Sequence, residues 1–483
     1  MSLRALSAAR LRPLLGAALD TSPAYRGLAD AVRLLVADGR IPAGTRLPSE
    51  RDLTTALGVS RTTVSRAYAE LRERGYLESR QGSGSVAVLP GDAAGRRAGA
   101  PLQPTTDQLD GPVIDLTCAS MSAPPGTVAA YERALEQLPR YLAGTGYHPL
   151  GLPALREVLA SDLTARGLPT DAEQVMVTSG ALAGVAIAAR ALLSPGDRVL
   201  LESPTYPNAI ETLGRSGARA VPLPMGVDGW DLDTAEATLR QTAPRAAYLV
   251  PDFHNPTGAL MSEEQRSRLG RALGQTRTVA IVDETLVELA HDPGLAMPSP
   301  LGAHHGRTVT VGGASKTFWG GLRVGWLRAP RDLVPALVTA RLTLDLGSPV
   351  MEQLVLLDLL AHRDTILPAR REAVVASRDA LVGALRTRLP EWRFTVPQGG
   401  LCLWAELPEA LSTPLTVAAD RRGVVLAPGP QFAVDGGMER FLRIPITGHA
   451  PEVVAEAVDR IALAWQDTVT SRPVGRRRSP LVA

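Results

Sequence analysis

Lys316 is the only lysine in a chain with 51 basic residues; the other fifty are arginine. A guanidinium stays protonated at working pH, whereas an ε-amine can lose its proton and attack a carbonyl. A sequence that uses arginine for every other positive charge keeps this amine for amine chemistry. It stands in Ala-Ser-Lys-Thr-Phe-Trp-Gly-Gly-Leu-Arg, residues 314–323. Other residues could work with it. Asp283 can pair with a protonated ring nitrogen, and Asn255 can donate to a phenolate oxygen. Tyr206 offers an aromatic face for stacking. Gly180 and Ala181 open an Ala-rich helix whose free N–H groups suit a phosphate, with Ser315 and Arg323 to complete the cup. Together these groups suit a phosphorylated pyridine aldehyde, pyridoxal 5'-phosphate, held on Lys316 as a Schiff base.

Each of these residues follows a short apolar run of β type: Val175–Thr178, Arg198–Glu202, Ala246–Val250, Val279–Val282 and Thr308–Val311. Ala- and Leu-rich helical stretches separate the runs. This alternation predicts an α/β fold with a mostly parallel sheet and helices on both faces. Ligands in such sheets bind beyond the carboxyl ends of the strands, so the polar loops should converge on one crevice.

The first ninety residues have a different character. They carry a net charge of +5 against −3 for the remainder, which predicts two parts that meet different partners. Ser49-Glu-Arg-Asp52 reads as a helix start and Gly58 as its left-handed stop. Ser60 opens a second helix with Val64, Ala67, Tyr68 and Leu71 on one face and Arg61, Thr62, Thr63, Ser65 and Arg66 on the other. Tyr76–Val88 reads as a hairpin around Gly82 and Gly84. Two helices joined by a glycine turn, followed by a hairpin, predict a winged helix-turn-helix for the major groove. The expected divisions are a helical extension over 1–22, the winged helix over 23–89, and a Gly/Ala/Pro-rich linker over 90–112. A pyridoxal-phosphate-binding body with a small α/β subdomain then covers 113–469, and a basic tail covers 470–483.

Gly-Arg-Ile-Pro-Ala-Gly-Thr-Arg-Leu-Pro-Ser-Glu-Arg (39–51) through Gln-Gly-Ser-Gly (81–84) closely resembles the GntR-type winged helix. That resemblance implies DNA contacts from Arg51, Arg61, Thr62 and the wing around Gly82, with Arg61 reading a guanine edge. The tyrosine, asparagine, aspartate and lysine, in this order along the chain, resemble the fold-type I aminotransferases. There the likeness implies that Tyr147 reaches the phosphate of a neighbouring subunit, hence a homodimer, and that Arg443 clamps a substrate carboxylate. Fused in one chain, the two halves resemble the MocR family of transcriptional regulators. The resemblance implies a head-to-tail dimer in which an amine or amino acid, acting on the body, alters how two heads meet double-stranded DNA.

Two departures from the aminotransferase pattern bear on turnover. Thr285 and Leu286 stand where a phenol donor is usual, and Gly313 stands where a hydroxyl residue commonly binds phosphate. The expectation is therefore a regulator with at most weak transamination. The alternatives are a working aminotransferase with a DNA-binding appendage, or a DNA-binding protein with an inert body. Cys118 and Cys402 are the only cysteines and the seven histidines lack ligand spacing, so no metal site is expected. No apolar run approaches the ~20 residues of a membrane span, and a cytoplasmic protein is expected.

Overall fold

Every apolar run that ends in a polar loop is a strand of one eight-stranded sheet. The computed structural model describes residues 5–16, 22–80, 84–88, 113–226, 229–446 and 449–470. The sheet order is β4 (Val175–Thr178), β11 (Gly325–Arg328), β10 (Thr308–Gly313), β9 (Val279–Asp283), β8 (Ala246–Leu249), β5 (Arg198–Ser203), β6 (Arg219–Gly226) and β7 (Gly229–Trp230). The run from β10 to β6 is parallel. Two antiparallel strands interrupt the pattern: β11, between β10 and β4, and the edge strand β7. The five strands read from sequence are buried along almost their whole length, as sheets covered on both faces must be.

A second sheet of four strands builds the small subdomain. Its order is β12 (Cys402–Glu406), β14 (Phe441–Pro445), β13 (Val424–Pro428) and β3 (Ile114–Leu116). The helices Arg363–Arg388 and Pro451–Thr470 pack on it around Leu385, Trp392, Leu403, Ile444 and Ile461. Strand β3 runs parallel to β13, so the first described residues of the body are tied to its last third.

The head has helices α1 (Ala8–Leu15), α2 (Ala24–Ala37), α3 (Glu50–Leu57) and α4 (Arg61–Glu73), then the hairpin β1 (Leu77–Arg80) and β2 (Gly84–Ala87). Ser49 caps α3 through the Asp52 amide, Gly58 ends it in the left-handed region at φ 69°, and Ser60 caps α4 through the Thr63 amide. The stripe Val64, Ala67, Tyr68 and Leu71 is fully buried against Leu28, Val32 and Leu53. Leu11 and Leu15 of α1 join the same core. Gly82, the residues 90–112 and the residues 471–483 lie outside the described residues.

The head rests on the body of its own chain. The Met438 amide donates to the Ala37 carbonyl at 2.7 Å, and the Ala43 amide donates to Asp435 Oδ2 at 3.0 Å. Arg10 donates to the Asp233 carbonyl at 2.8 Å. Among the described residues no helix is long and apolar enough to cross a membrane, and no three His, Cys, Asp or Glu side chains cluster as a metal site would need.

Candidate cofactor, effector and DNA sites

Lys316 lies in the single turn Ala314–Thr317 that follows β10 directly. Its Nζ donates to the Ala119 carbonyl at 2.6 Å, on the segment that leaves β3. Desolvation drives the amine's pKa below the ordinary lysine value; the Cys118 and Cys402 thiols oppose this, Arg443 adds to it and Asp283 opposes it. The neutral amine is the nucleophilic form, so burial favours the species a Schiff base needs.

Asp283 is the last residue of β9, and three donors hold its carboxylate. Oδ1 accepts the Thr285 amide at 3.0 Å and the Thr285 hydroxyl at 2.6 Å, while Oδ2 accepts the Tyr248 hydroxyl at 2.7 Å. Tyr248 comes from β8 and is fully buried; desolvation and the nearby Asp283 carboxylate push its pKa well above that of a free phenol, so it remains a donor. Thr285 is therefore turned onto Asp283, and Leu286 is buried in the small-subdomain core. Neither replaces the phenol whose absence the sequence showed.

Tyr206 sits at the N-terminal end of the helix Pro207–Gly214. Burial, reinforced by Asp283 and opposed by Arg443 and Arg323, pushes its pKa up to about 12, so the hydroxyl stays protonated. Asn255 follows a pinned loop. Buried Glu202 on β5 accepts Trp230 Nε1 at 2.5 Å and the Val250 amide at 2.9 Å, with His254 Nε2 3.3 Å away. The other ring nitrogen of His254 bonds to Thr257 Oγ1 at 2.9 Å. Asn255 Oδ1 accepts the Cys402 thiol at 3.7 Å.

The cup at the start of the helix Ala181–Leu192 is shaped by glycines. Gly180 has φ 95°, and a Cβ there would lie 2.5 Å from the Arg323 guanidinium. Arg323 is itself left-handed at φ 52° and donates to the Ser179 carbonyl at 3.3 Å. A Cβ on Gly325 would lie 2.5 Å from the Ala181 nitrogen. Gly313 is less tightly constrained, since its Cβ would meet that of Ala181 at 3.3 Å; the missing side chain leaves space for the helix to come close. Ser315 stands half-buried beside Lys316.

Arg443 on β14 is almost wholly buried and donates to the Thr117 carbonyl. Its guanidinium carbon lies 4.9 Å over the Phe432 ring, and among the described residues its Nε has no hydrogen-bond partner. A buried guanidinium with an unmatched donor suits an incoming carboxylate. Tyr147 is not brought to this crevice. It stands 64% exposed, and its only hydrogen bond among the described residues runs from its backbone amide to Thr145 Oγ1.

On the head, Arg51, Arg61 and Thr62 are exposed, and none of their side chains is engaged among the described residues. Thr63 and Ser65, expected on the same face, spend their hydroxyls on Ser60 and Glu50. Arg66 stacks over Tyr25 at 4.8 Å.

The donor set fits pyridoxal phosphate: an amine, a strand-end carboxylate, an amide, an aromatic ring, and a glycine-shaped helix start under an arginine. This arrangement defines a fold-type I aminotransferase body carrying a winged-helix head. The family "Aminotransferase class I and II" matches residues 128–461, and "Bacterial regulatory proteins, gntR family" matches 24–86. The "Probable rhizopine catabolism regulatory protein MocR" of Rhizobium meliloti is 30% identical over 92% of this chain and 94% of its own. The transcriptional regulator TauR of Rhodobacter capsulatus is 29% identical over 89% and 94%. LysN, the α-aminoadipate aminotransferase of Thermus thermophilus, superposes with a TM-score of 0.68 at 29% identity, covering 79% of this chain and 98% of its own. That structure holds N-(5'-phosphopyridoxyl)-L-leucine. The chain belongs to the MocR family: a GntR-type DNA-binding head fused to a pyridoxal-phosphate-dependent class I and II aminotransferase body.

Sequence reasoning missed Tyr248, which hides in a strand of small and apolar residues and carries no spacing signal. It also missed that both cysteines of the chain border Lys316, because 284 positions separate them in sequence.

Proposed function

We propose that the protein is a transcriptional regulator whose body senses pyridoxal phosphate together with an amine or α-amino acid. The supporting observation is the unmatched, buried Nε of Arg443 in the crevice that holds Lys316, in a molecule whose α4 faces solvent. In this reading Lys316 fixes the cofactor covalently, Asp283 pairs with its ring nitrogen and Asn255 with its phenolate oxygen. Tyr206 stacks on the ring, and Gly180, Ala181, Ser315 and Arg323 enclose the phosphate. Bound there, the cofactor would supply a pyridine ring that acts as an electron sink for negative charge at the α-carbon of a bound amine. Arg443 binds the effector's carboxylate, while Arg51, Arg61, Thr62 and the wing residue Gly82 meet the operator.

The working assembly in this proposal is a head-to-tail homodimer in the cytoplasm. Val128 and Leu135 project outward seven residues apart on the helix Thr127–Gln137, and Leu142 and Tyr147 follow, all exposed in the single chain. A partner's body over this face would bury them and bring Tyr147 to the partner's phosphate. In this assembly each head rests on the partner's body by the surfaces that meet here within one chain.

Footprinting on DNA selected by the protein from a random pool tests the reading. Protection should change when pyridoxal phosphate, and then a panel of amines and α-amino acids, is added. A footprint identical under every condition would reject it. The intact set of Lys316, Asp283 and Asn255 also favours a second reading, a working aminotransferase. Steady keto-acid release from the same panel would support that reading.

A further inference from the structure

The Phe432 ring lies against the Arg443 guanidinium, and its carbonyl accepts the Thr205 amide at 2.9 Å, next to Tyr206. Two residues further on, the Val434 amide donates to Ser203 Oγ at 3.3 Å. These contacts tie the start of one loop to the effector arginine and to the stacking tyrosine's segment. Its other end reaches the head. Asp435 accepts the Ala43 amide, a Cβ on Gly437 would lie 2.3 Å from the Ala37 carbonyl, and the Met438 amide donates to that same carbonyl. The tip of the Met438 side chain lies 3.0 Å from where a Cβ on Gly39 would be. Residues 433–437 alone separate the ring on Arg443 from the residue seated on α2.

The backbone of this loop cannot adjust freely. Gly436, Gly437 and Met438 are consecutive left-handed residues, and Met438 holds φ 64° while 2% exposed. A Cβ on Gly429 would lie 2.1 Å from the Met438 carbonyl, so the two ends of the loop are packed directly on each other. A non-glycine residue holds a left-handed conformation only where its surroundings over-determine it. Here those surroundings are the loop's own base and the head.

We infer that residues 432–438 form a docking shelf for the C-terminal end of α2 and carry the state of the crevice to the head. This rests on the sensor reading for its biological sense, and on the contacts above for its mechanics. A ligand that draws Arg443 toward its carboxylate, or orders the segment 203–206, acts on Phe432 from the side. The shelf moves with Phe432, and the contact at Ala37 and Ala43 tightens or opens. Helix α4 and Arg51 lie on the part of the head turned to solvent, so docking leaves the DNA-facing residues uncovered and changes only how the head is held. Coupling of this kind requires that ligand bind the two shelf positions with different affinity.

Hydrogen exchange on the full chain, with pyridoxal phosphate alone and then with L-alanine added, reads the shelf directly. Amides in 34–45 and 433–438 should change protection together in at least one of the two additions; unchanged exchange in both segments would overturn the inference. Two variants then test coupling. Gly437→Ala drives a methyl into the Ala37 carbonyl, whereas Met438→Gly removes the seated side chain and relieves the left-handed backbone. Both should retain the cofactor's absorption band, and both should lose at least threefold of the ligand-dependent change in affinity for the selected DNA. If the wild-type protein responds to ligand on DNA and both variants respond equally, the shelf carries no signal and the inference fails while the sensor reading stands. If wild-type DNA binding ignores every ligand but the two segments still change exchange together, the sensor reading fails and the mechanical link stands.

Discussion

The Tyr248 hydroxyl reaches across from strand β8 to Asp283 Oδ2 on β9 at 2.7 Å, while Thr285 occupies the other carboxylate oxygen twice. The group that would meet the cofactor's ring nitrogen is thereby held from behind by a neighbouring strand and from the side by its own turn.

Removing the strand-side donor should loosen that carboxylate. Tyr248→Phe keeps the ring's volume and deletes one buried hydrogen bond to a charged group, a loss of about 1.5–3 kcal/mol. Urea unfolding should show a destabilisation of that order. Fluorescence titration should show pyridoxal phosphate binding weaker by roughly tenfold, the factor that corresponds to about 1.4 kcal/mol. Unchanged affinity would mean that Thr285 alone positions Asp283.

Lys316→Ala should leave the fold intact, because among the described residues the lysine side chain makes only one hydrogen bond, to the Ala119 carbonyl. Borohydride treatment of wild-type protein with cofactor should add the reduced cofactor's mass to the peptide containing Lys316. The variant should gain none. A trapped adduct elsewhere in the variant would remove Lys316 from its proposed role.

Arg61→Ala and Arg51→Ala should weaken DNA binding in different ways. Arg61 heads α4 and is proposed to read a base, so its loss should cost about 1–3 kcal/mol on the selected sequence and relax preference at one position. Arg51 is proposed to contact phosphate. Its removal should weaken binding to all sequences and reduce the salt slope by about one. Fluorescence anisotropy across a salt series separates the two.

Asp38 closes α2 where the head meets the body, and its pKa is raised to about 6. Burial is the main cause. Arg440 opposes it, Glu406 adds to it, and Arg40 and Arg33 oppose it. A carboxyl with a raised pKa contributes its stabilisation below about pH 4 and loses it as pH climbs through 6. At pH 7 the docked head therefore buries an ionised carboxylate at a cost. Asp38→Asn should stabilise the protein by about 1–3 kcal/mol at pH 7, given 1.36 kcal/mol per pKa unit, and by almost nothing near pH 4. Denaturation series at the two pH values check this; equal effects at both would remove Asp38 as the titrating group.

The strands and the lysine turn were legible because their signals are local. An apolar run that stops at a polar loop reads as a buried strand with a functional end, and β4, β5, β8, β9 and β10 all did so. The head was legible for a similar reason, since Ser49, Gly58 and Ser60 punctuate its helices. Position across the sheet was not. Tyr248 looks like any aromatic in a core strand, and only the pairing of β8 with β9 sets it beside Asp283. The antiparallel β11 was also hidden, because a strand's direction is set by its connection and not by its composition. Thr285 was visible as a departure from a family pattern, yet its bond to Asp283 depends on how the chain turns after β9. The seat of the head on Met438 joins residues about four hundred positions apart, and nothing periodic in the sequence announces it.

Fifty guanidiniums and one ε-amine give the molecule a single internal address for any reagent that acylates amines. Apart from the chain's own first residue, such a probe can land nowhere but the crevice. Occupancy there can thus be counted by labelling the whole protein, once the label on the α-amine at the start of the chain is subtracted.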